Sequence, residues 1–255
     1  MRITKWIFGA LAALATFAGG DVARADEALV AVAANFAKPM AELAADFAQR
    51  GGHIIKVSAG SSGNFVKQIE NGAPFALFLS ADEERPAKLE QEGNAVPGTR
   101  YTYAVGRLVL WSRKADLIGA DPAQAINREN VRHIAIANPN LAPYGRAAVQ
   151  TLKALGLWDA IQPKIVRGED VAQTYQWTDT GNADLGFVAL SQVVKDDSGS
   201  RWLVPPELYQ PIRQQVVLLK TGQNNPAAQA FLVYLRSEAA RSIITSFGYA
   251  VEPQS

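Results

Sequence analysis

Short apolar runs of strand character alternate along this chain with amphipathic helical stretches, and that alternation constrains the fold more than any other feature. Residues 28–34 read as a strand, and a helix follows with Phe36, Met40, Leu43 and Phe47 on one face. Residues 54–57, 76–79, 108–111, 134–137, 165–166, 185–188 and 216–219 are the further strand candidates. Helical patterns open after Ser61, at Ser80-Ala81-Asp82, after Pro143 (through Ala148, Leu152 and Leu155), at Glu169-Asp170-Val171 and at Pro226. A parallel strand pair needs a crossover of about a dozen residues, usually a helix, so this order predicts an α/β fold with mainly parallel sheets. No repeat, low-complexity run or long polar linker divides the chain, and its length allows one domain or two.

The turns between these elements carry the chemistry. Residues 53–57 break into Gly60-Ser61-Ser62-Gly63, and a helical pattern starts at once. Glycine permits the tight turn, serine caps the helix, and the free N–H groups with the positive end of the helix dipole make an anion site. The same design recurs at Ala33-Ala34-Asn35-Phe36, at Pro139-Asn140-Leu141-Ala142-Pro143-Tyr144-Gly145 and at Glu169-Asp170-Val171. Ligands of parallel α/β sheets collect beyond the carboxyl ends of the strands, so four helix starts aimed at one cleft would surround a small oxyanion. Each also has a plainer reading. Asn35, Ser61 and Ser62 serve equally as N-caps, Tyr144 as a core aromatic, and Glu169 and Asp170 as first-turn acids. The acids repel an anion, so at the last helix the expected contact is the N–H of Val171. No lysine or arginine stands in the Gly-Ser-Ser-Gly turn, which points to an anion held by neutral donors.

The start of the chain sets the compartment. Arg2 and Lys5 precede an apolar run over residues 7–18, and Ala23-Arg24-Ala25 matches a small-x-small processing site. This is the pattern of a secretory signal peptide over residues 1–25, cleaved before Asp26, and the apolar run is shorter than the roughly 20 residues a membrane span needs. The expected destination is outside the cytoplasm. The chain has no cysteine, so neither a lipid-anchored cysteine nor a disulfide frame is available. Removal of the leader leaves 22 basic and 23 acidic residues, a formal charge of −1, which argues against nucleic acid or an anionic membrane as partner.

Catalytic signals are thin. His53 and His133 sit in or beside strand-like runs without metal-ligand spacing. Gly60-Ser61-Ser62-Gly63 is not the Gly-x-Ser-x-Gly elbow of a serine hydrolase, and no phosphate-loop or dinucleotide fingerprint occurs.

Taken together and in order, the motifs resemble those of the ModA family, the periplasmic molybdate-binding proteins of ABC importers. The resemblance rests on Val32-Ala33-Ala34-Asn35-Phe36, on Ser61-Ser62-Gly63 with Gln68-Ile69-Glu70-Asn71-Gly72-Ala73-Pro74, and on Leu77-Phe78-Leu79-Ser80-Ala81-Asp82. Asn138-Pro139-Asn140-Leu141-Ala142-Pro143-Tyr144-Gly145, Glu169-Asp170-Val171 and Phe247-Gly248-Tyr249 complete it, over about residues 28–251. It implies a type II periplasmic binding fold, with two α/β lobes of mainly parallel sheets joined by two crossing segments. Lobe one is then residues 26–106 plus 214–255, and lobe two residues 107–213.

The implied molybdate-binding residues are Asn35, Ser62, Tyr144 and Val171, with Ala34 and Ser61 as further candidates. Ala189 stands where some members carry a tyrosine, and the Tyr144 hydroxyl is expected to supply that donor from another direction. Ala76 departs from a common aspartate without touching the site. The resemblance implies no enzyme activity and no cofactor. It implies molybdate or tungstate as ligand with no direct protein–metal bond, an ABC permease as partner, and a monomer. The competing readings are a binding protein for another oxyanion such as sulfate, a secreted serine hydrolase using Ser61 or Ser62, and an adhesion or sensor module.

Overall fold

The computed structural model describes residues 26–51 and 53–252; the expected leader lies outside the described residues. In chain order the strands are β1 Glu27–Ala33, β2 Ile54–Gly60, β3 Leu77–Ser80, β4 Tyr101–Gly106, β5 Leu108–Ser112, β6 Ile134–Ala137, β7 Ile165–Gly168, β8 Leu185–Ala189, β9 Ser200–Leu203 and β10 Ile212–Leu218. The helices are α1 Ala37–Gly51, α2 Ser62–Glu70, α3 Glu84–Gln91, α4 Pro122–Asn127, α5 Pro143–Ala154, α6 Trp158–Ile161, α7 Val171–Asp179, α8 Leu190–Val193, α9 Pro226–Tyr234 and α10 Glu238–Ser246. A short 3-10 turn, Ala34–Phe36, precedes α1.

The strands form two five-stranded sheets, ordered β2-β1-β3-β10-β4 and β7-β6-β8-β5-β9. In the first, β1, β2 and β3 are parallel and β10 runs against both β3 and β4. In the second, β6, β7 and β8 are parallel and β5 runs against both β8 and β9. The mainly parallel sheets expected from the sequence are therefore present, each with one reversed strand. Those two strands stand at the crossings between sheets: β4 passes through Arg107 into β5, and residues 204–211 lead from β9 to β10. Sequence periodicity misses β4 and β9. Both lie at the edges of the sheet order, and neither carries the continuous run of aliphatic residues seen in β3, β6 or β8.

The first sheet is covered on both faces. Ala28, Val30 and Val32 of β1 pack with α1, α9 and α10, while Ala31 faces Phe65, Val66 and Ile69 of α2. β3 divides likewise, Leu77 and Leu79 to one side and Phe78 to the other. This is the two-residue period of a strand read onto two cores. The second sheet has its own core around Trp111, Ile134, Ile136 and Phe187, and that cluster reaches Ala33, Ala34 and Ala81 at the strand ends of the first. No helix among the described residues is long and apolar enough to cross a membrane.

The helix starts have identifiable causes. Ser61 caps α2 through the Asn64 N–H at 3.4 Å, and Asp170 caps α7 through the N–H groups of Ala172 and Gln173, both at 2.9 Å. Pro143 opens α5, where its fixed φ suits a first turn and its missing N–H costs no hydrogen bond. Phe36 is fully buried and meets Tyr103 and Tyr249 edge-on, with ring centroids 4.8 and 5.2 Å away. Phe36→Ala is therefore expected to lower unfolding free energy by about 3–5 kcal/mol, measured by urea denaturation.

Candidate functional site

β1, β2, β6 and β7 all deliver their carboxyl ends to the space between the two sheets, and each is followed there by a helical turn. That space holds a small cavity of about 10 Å3, close to the room one water-sized group needs. Its lining contains all six residues singled out from the sequence, Ala34, Asn35, Ser61, Ser62, Tyr144 and Val171, with Ala33, Gly60, Ala81, Ala142, Pro143 and Asp170 beside them. None of those six is more than 7% exposed. The structure thus brings together positions that lie up to 137 residues apart in the chain.

The cavity is rich in N–H groups. Ala34, Asn35, Ser62, Tyr144 and Val171 occupy the first one or two positions of their helical turns, where no intrahelical acceptor exists. No loop carbonyl among the described residues takes up these N–H groups. The Ser62 hydroxyl accepts the Ala81 N–H at 3.0 Å, which leaves its own proton free to donate. No lysine or arginine is in the lining, and the one carboxylate there, Asp170, is turned back onto the start of α7.

Two side chains sit differently from the sequence expectation. The Tyr144 hydroxyl lies 3.4 Å from Gln214 Nε2 and packs so closely on Gly106 that no Cβ would fit there. The hydroxyl thus accepts from Gln214 beside the crossing segments, and the Tyr144 N–H has no hydrogen-bond partner among the described residues. The Asn35 amide gives its Nδ2 protons to Gln214 Oε1 and the Tyr249 hydroxyl, both at 2.9 Å, while its main-chain N–H has no partner among the described residues. Ala189 is outside the lining. Its N–H donates to Gln192 Oε1 at 2.9 Å, and Gln192 Nε2 donates to the Val171 carbonyl at 3.1 Å, which fixes the first turn of α7. Gln192, Gln214 and Tyr249 escaped sequence reasoning as site residues. Tyr249 was visible only as part of Phe247-Gly248-Tyr249, and neither glutamine belongs to a local motif.

Burial pushes the Tyr103 and Tyr144 hydroxyls well above the ordinary tyrosine range and raises Tyr249 to about 12. All three stay neutral donors across physiological pH. The surroundings suit a group that accepts many hydrogen bonds and gives none. A wider groove of about 400 Å3 opens alongside; Asp82, Glu83 and Glu84 line it together with Arg146 and Arg213, so its wall is of mixed charge. His53 stacks on Phe47 and the His133 N–H bonds Asp184, both away from the cavity. No cluster of three or more metal-ligating side chains occurs among the described residues.

The two lobes meet closely around the cavity. The Gly63 N–H donates to the Leu141 carbonyl at 2.9 Å, and a Cβ on Gly63 would come within 3.0 Å of the Leu141 backbone. Arg146 of the second lobe reaches Asp82 and Glu84 of the first, both at 2.7 Å, and Asn64 bonds Glu169.

Residues 28–250 match the bacterial extracellular solute-binding protein family. A protein from Azotobacter vinelandii called molybdate-binding protein ModA is 50% identical over 90% of this chain and 92% of its own length. The chain belongs to that solute-binding family, and within it to the ModA proteins. A Rhodobacter capsulatus ModA is 48% identical, with 90% of both chains covered. The solved periplasmic molybdate-binding protein of A. vinelandii superposes with a TM-score of 0.85 at 43% identity, covering 89% of this chain and all of that one. The sulfate-binding protein SubI of Mycobacterium tuberculosis shares the fold, with a TM-score of 0.72 at 14% identity.

The buried tyrosines give this ModA member a defined alkaline limit. An unfolded tyrosine ionises near pH 10, whereas Tyr103, Tyr144 and Tyr249 hold their protons beyond it, so above pH 10 the unfolded chain carries fewer protons than the native one. Their contribution to stability is therefore expected to be constant below about pH 10 and to be lost as pH rises toward 12 and beyond. Denaturant titrations between pH 8 and 12 check this, and a decline centred below pH 9 would contradict it.

Proposed function

We propose that this protein is the periplasmic component of an ABC importer and captures molybdate, and tungstate as well, in the cavity between its lobes. It is a binding protein rather than an enzyme. The observation that carries the reading is one small cavity lined by five residues whose helix-start N–H groups have no partner among the described residues, with the Ser62 hydroxyl beside them and no cation in the wall. Close relatives named for molybdate binding support the same choice of ligand.

The physics follows from the ligand's chemistry. Molybdate is a tetrahedral dianion without a proton near neutral pH, so every oxygen accepts and none donates. A wall made of N–H and O–H donors satisfies it, while protonated phosphate would set its own proton against a donor. Sulfate is also a bare dianion and is rejected by size, since donors fixed by helix starts sit too far from its shorter bonds. Tungstate has nearly the dimensions of molybdate and passes the same test. Helix dipoles favour the charge at each of these N-termini, and lobe closure strengthens every neutral hydrogen bond by excluding water.

In this reading Asn35, Ser62, Tyr144 and Val171 bind the anion, with Ala34 and Ser61 adding donors. Lobe one comprises residues 26–106 and 214–255, and lobe two residues 107–213. The leader, residues 1–25, directs export and is removed. The protein acts as a monomer that presents its closed form to a membrane permease.

Calorimetry with molybdate, tungstate, sulfate and phosphate tests the proposal. Binding of the first two with a raised melting temperature is expected, because a ligand that binds only the native state stabilises it by mass action. Tighter binding of sulfate than of molybdate would sink it. Ser62→Ala is expected to weaken molybdate binding by roughly 1–3 kcal/mol through an unpaired anion oxygen. Tyr144→Phe keeps its N–H and should weaken binding less; the reverse order would mean that the tyrosine hydroxyl is the contact.

A further inference from the structure

Behind the cavity a second set of polar groups joins the lobes through Asn35, the one member of the set that also lines the anion site. Ser191 in α8 of the second lobe donates its hydroxyl to the Asn35 carbonyl of the first lobe at 2.8 Å. The Tyr249 hydroxyl lies 2.9 Å from that same carbonyl, 2.9 Å from Ser191 Oγ and 2.9 Å from Asn35 Nδ2. Ser191 is 4% and Tyr249 5% exposed, and neither lines the cavity. Tyr249 is fixed on the first lobe by its edge-on contact with Phe36 and by the pairing of Ala250 with Val105 on β4. Asn35 is thus a hub, with its carbonyl and amide toward Tyr249, Ser191 and Gln214.

One other link between the lobes is the main-chain bond from Gly63 to Leu141, and Arg146 also reaches the mostly buried Asp82. Others are charged pairs at the rim: Lys195–Glu42 and Arg146–Glu84 each have at least one member more than half exposed. Water and salt screen such pairs, which contribute little. The Ser191–Asn35 bond is instead dry, and opening the cleft would have to hydrate a serine hydroxyl and a carbonyl that now satisfy each other.

We propose that Ser191 and Tyr249 are positioning residues that clasp the closed cleft through the Asn35 carbonyl, and so set how long the anion is held rather than which anion is chosen. The proposal rests on the reading of the cavity as the oxyanion site. Choice of anion stays with the donors of the lining, which the clasp does not alter. Retention depends on how often the lobes part, and the clasp is made only when they meet.

The test is to load the mature protein with radiolabelled molybdate, chase with unlabelled molybdate, and compare wild type with Ser191→Ala, Tyr249→Phe and Ser62→Ala. For Ser191→Ala, release is expected to accelerate roughly tenfold, as one lost net hydrogen bond implies, with association within about twofold of wild type. The molybdate-to-sulfate affinity ratio and the unliganded melting temperature should be unchanged, a combination that a general loss of packing would not give. Tyr249→Phe should accelerate release in the same direction. Unchanged release in both clasp variants, with Ser62→Ala still weakened, would overturn the clasp and leave the site intact. Failure of the wild type to retain molybdate would instead overturn the reading of the cavity.

Discussion

Main-chain N–H groups at the start of a helix have no partner within that helix, and this protein is organised around bringing several of them to one point. The parallel direction of β1 and β2, and of β6 and β7, sends each following helical turn toward the same space. Small residues at the turns, Ala33, Ala34, Gly60 and Ala81, keep side chains out of it. The donors are rigid because they belong to the backbone of capped helices, and they are neutral because burial holds the nearby tyrosines in their protonated form. A lysine in that wall would bind any anion well. Fixed dipoles instead make the outcome depend on distance and on whether the ligand carries a proton.

Much of this was legible in the sequence, for a definite reason. The strand-to-helix transitions at Asn35, Ser62, Tyr144 and Val171 each leave a local mark, a small or polar residue at a periodicity change, and all four reach the cavity. The edge strands β4 and β9 left no such mark, since an edge is buried on fewer sides and needs less apolar sequence. Side-chain direction was the other gap. Nothing local says that Tyr144 turns its hydroxyl toward the crossings, because the cause is Gly106 and Gln214, 38 residues before it and 70 after. Gln192, Gln214 and Tyr249 act through contacts with distant parts of the chain, and a pattern read along one segment cannot register them.

The buried polar groups also differ in kind from the charged rim. Asp82 is held by Ser80, Arg85 and Arg146, and its neighbours Glu83 and Glu84 pair with Arg213 and Arg146. These groups give the mouth of the groove a mixed, largely neutralised surface. Apart from Asp170, which is tied to the start of α7, the side chains around the cavity are neutral hydrogen-bonding groups such as Asn35, Gln214, Ser191 and the three tyrosines. An anion moving inward therefore passes from a screened, salt-sensitive region to one in which geometry governs the interaction.

The place of β10 bears on how such a chain comes to be assembled. It lies between β3 and β4, so the first sheet cannot close until residues 212–218 have arrived, whereas the second sheet is built from the contiguous stretch 108–203. As the polypeptide emerges, the half that begins first is completed last, and its strands wait with an open gap while the later half can already pair. Long-range pairing of this sort is slow and leaves apolar edges uncovered in the interval. The crossing from β9 to β10 is thus also what ties completion of one lobe to synthesis of nearly the whole chain.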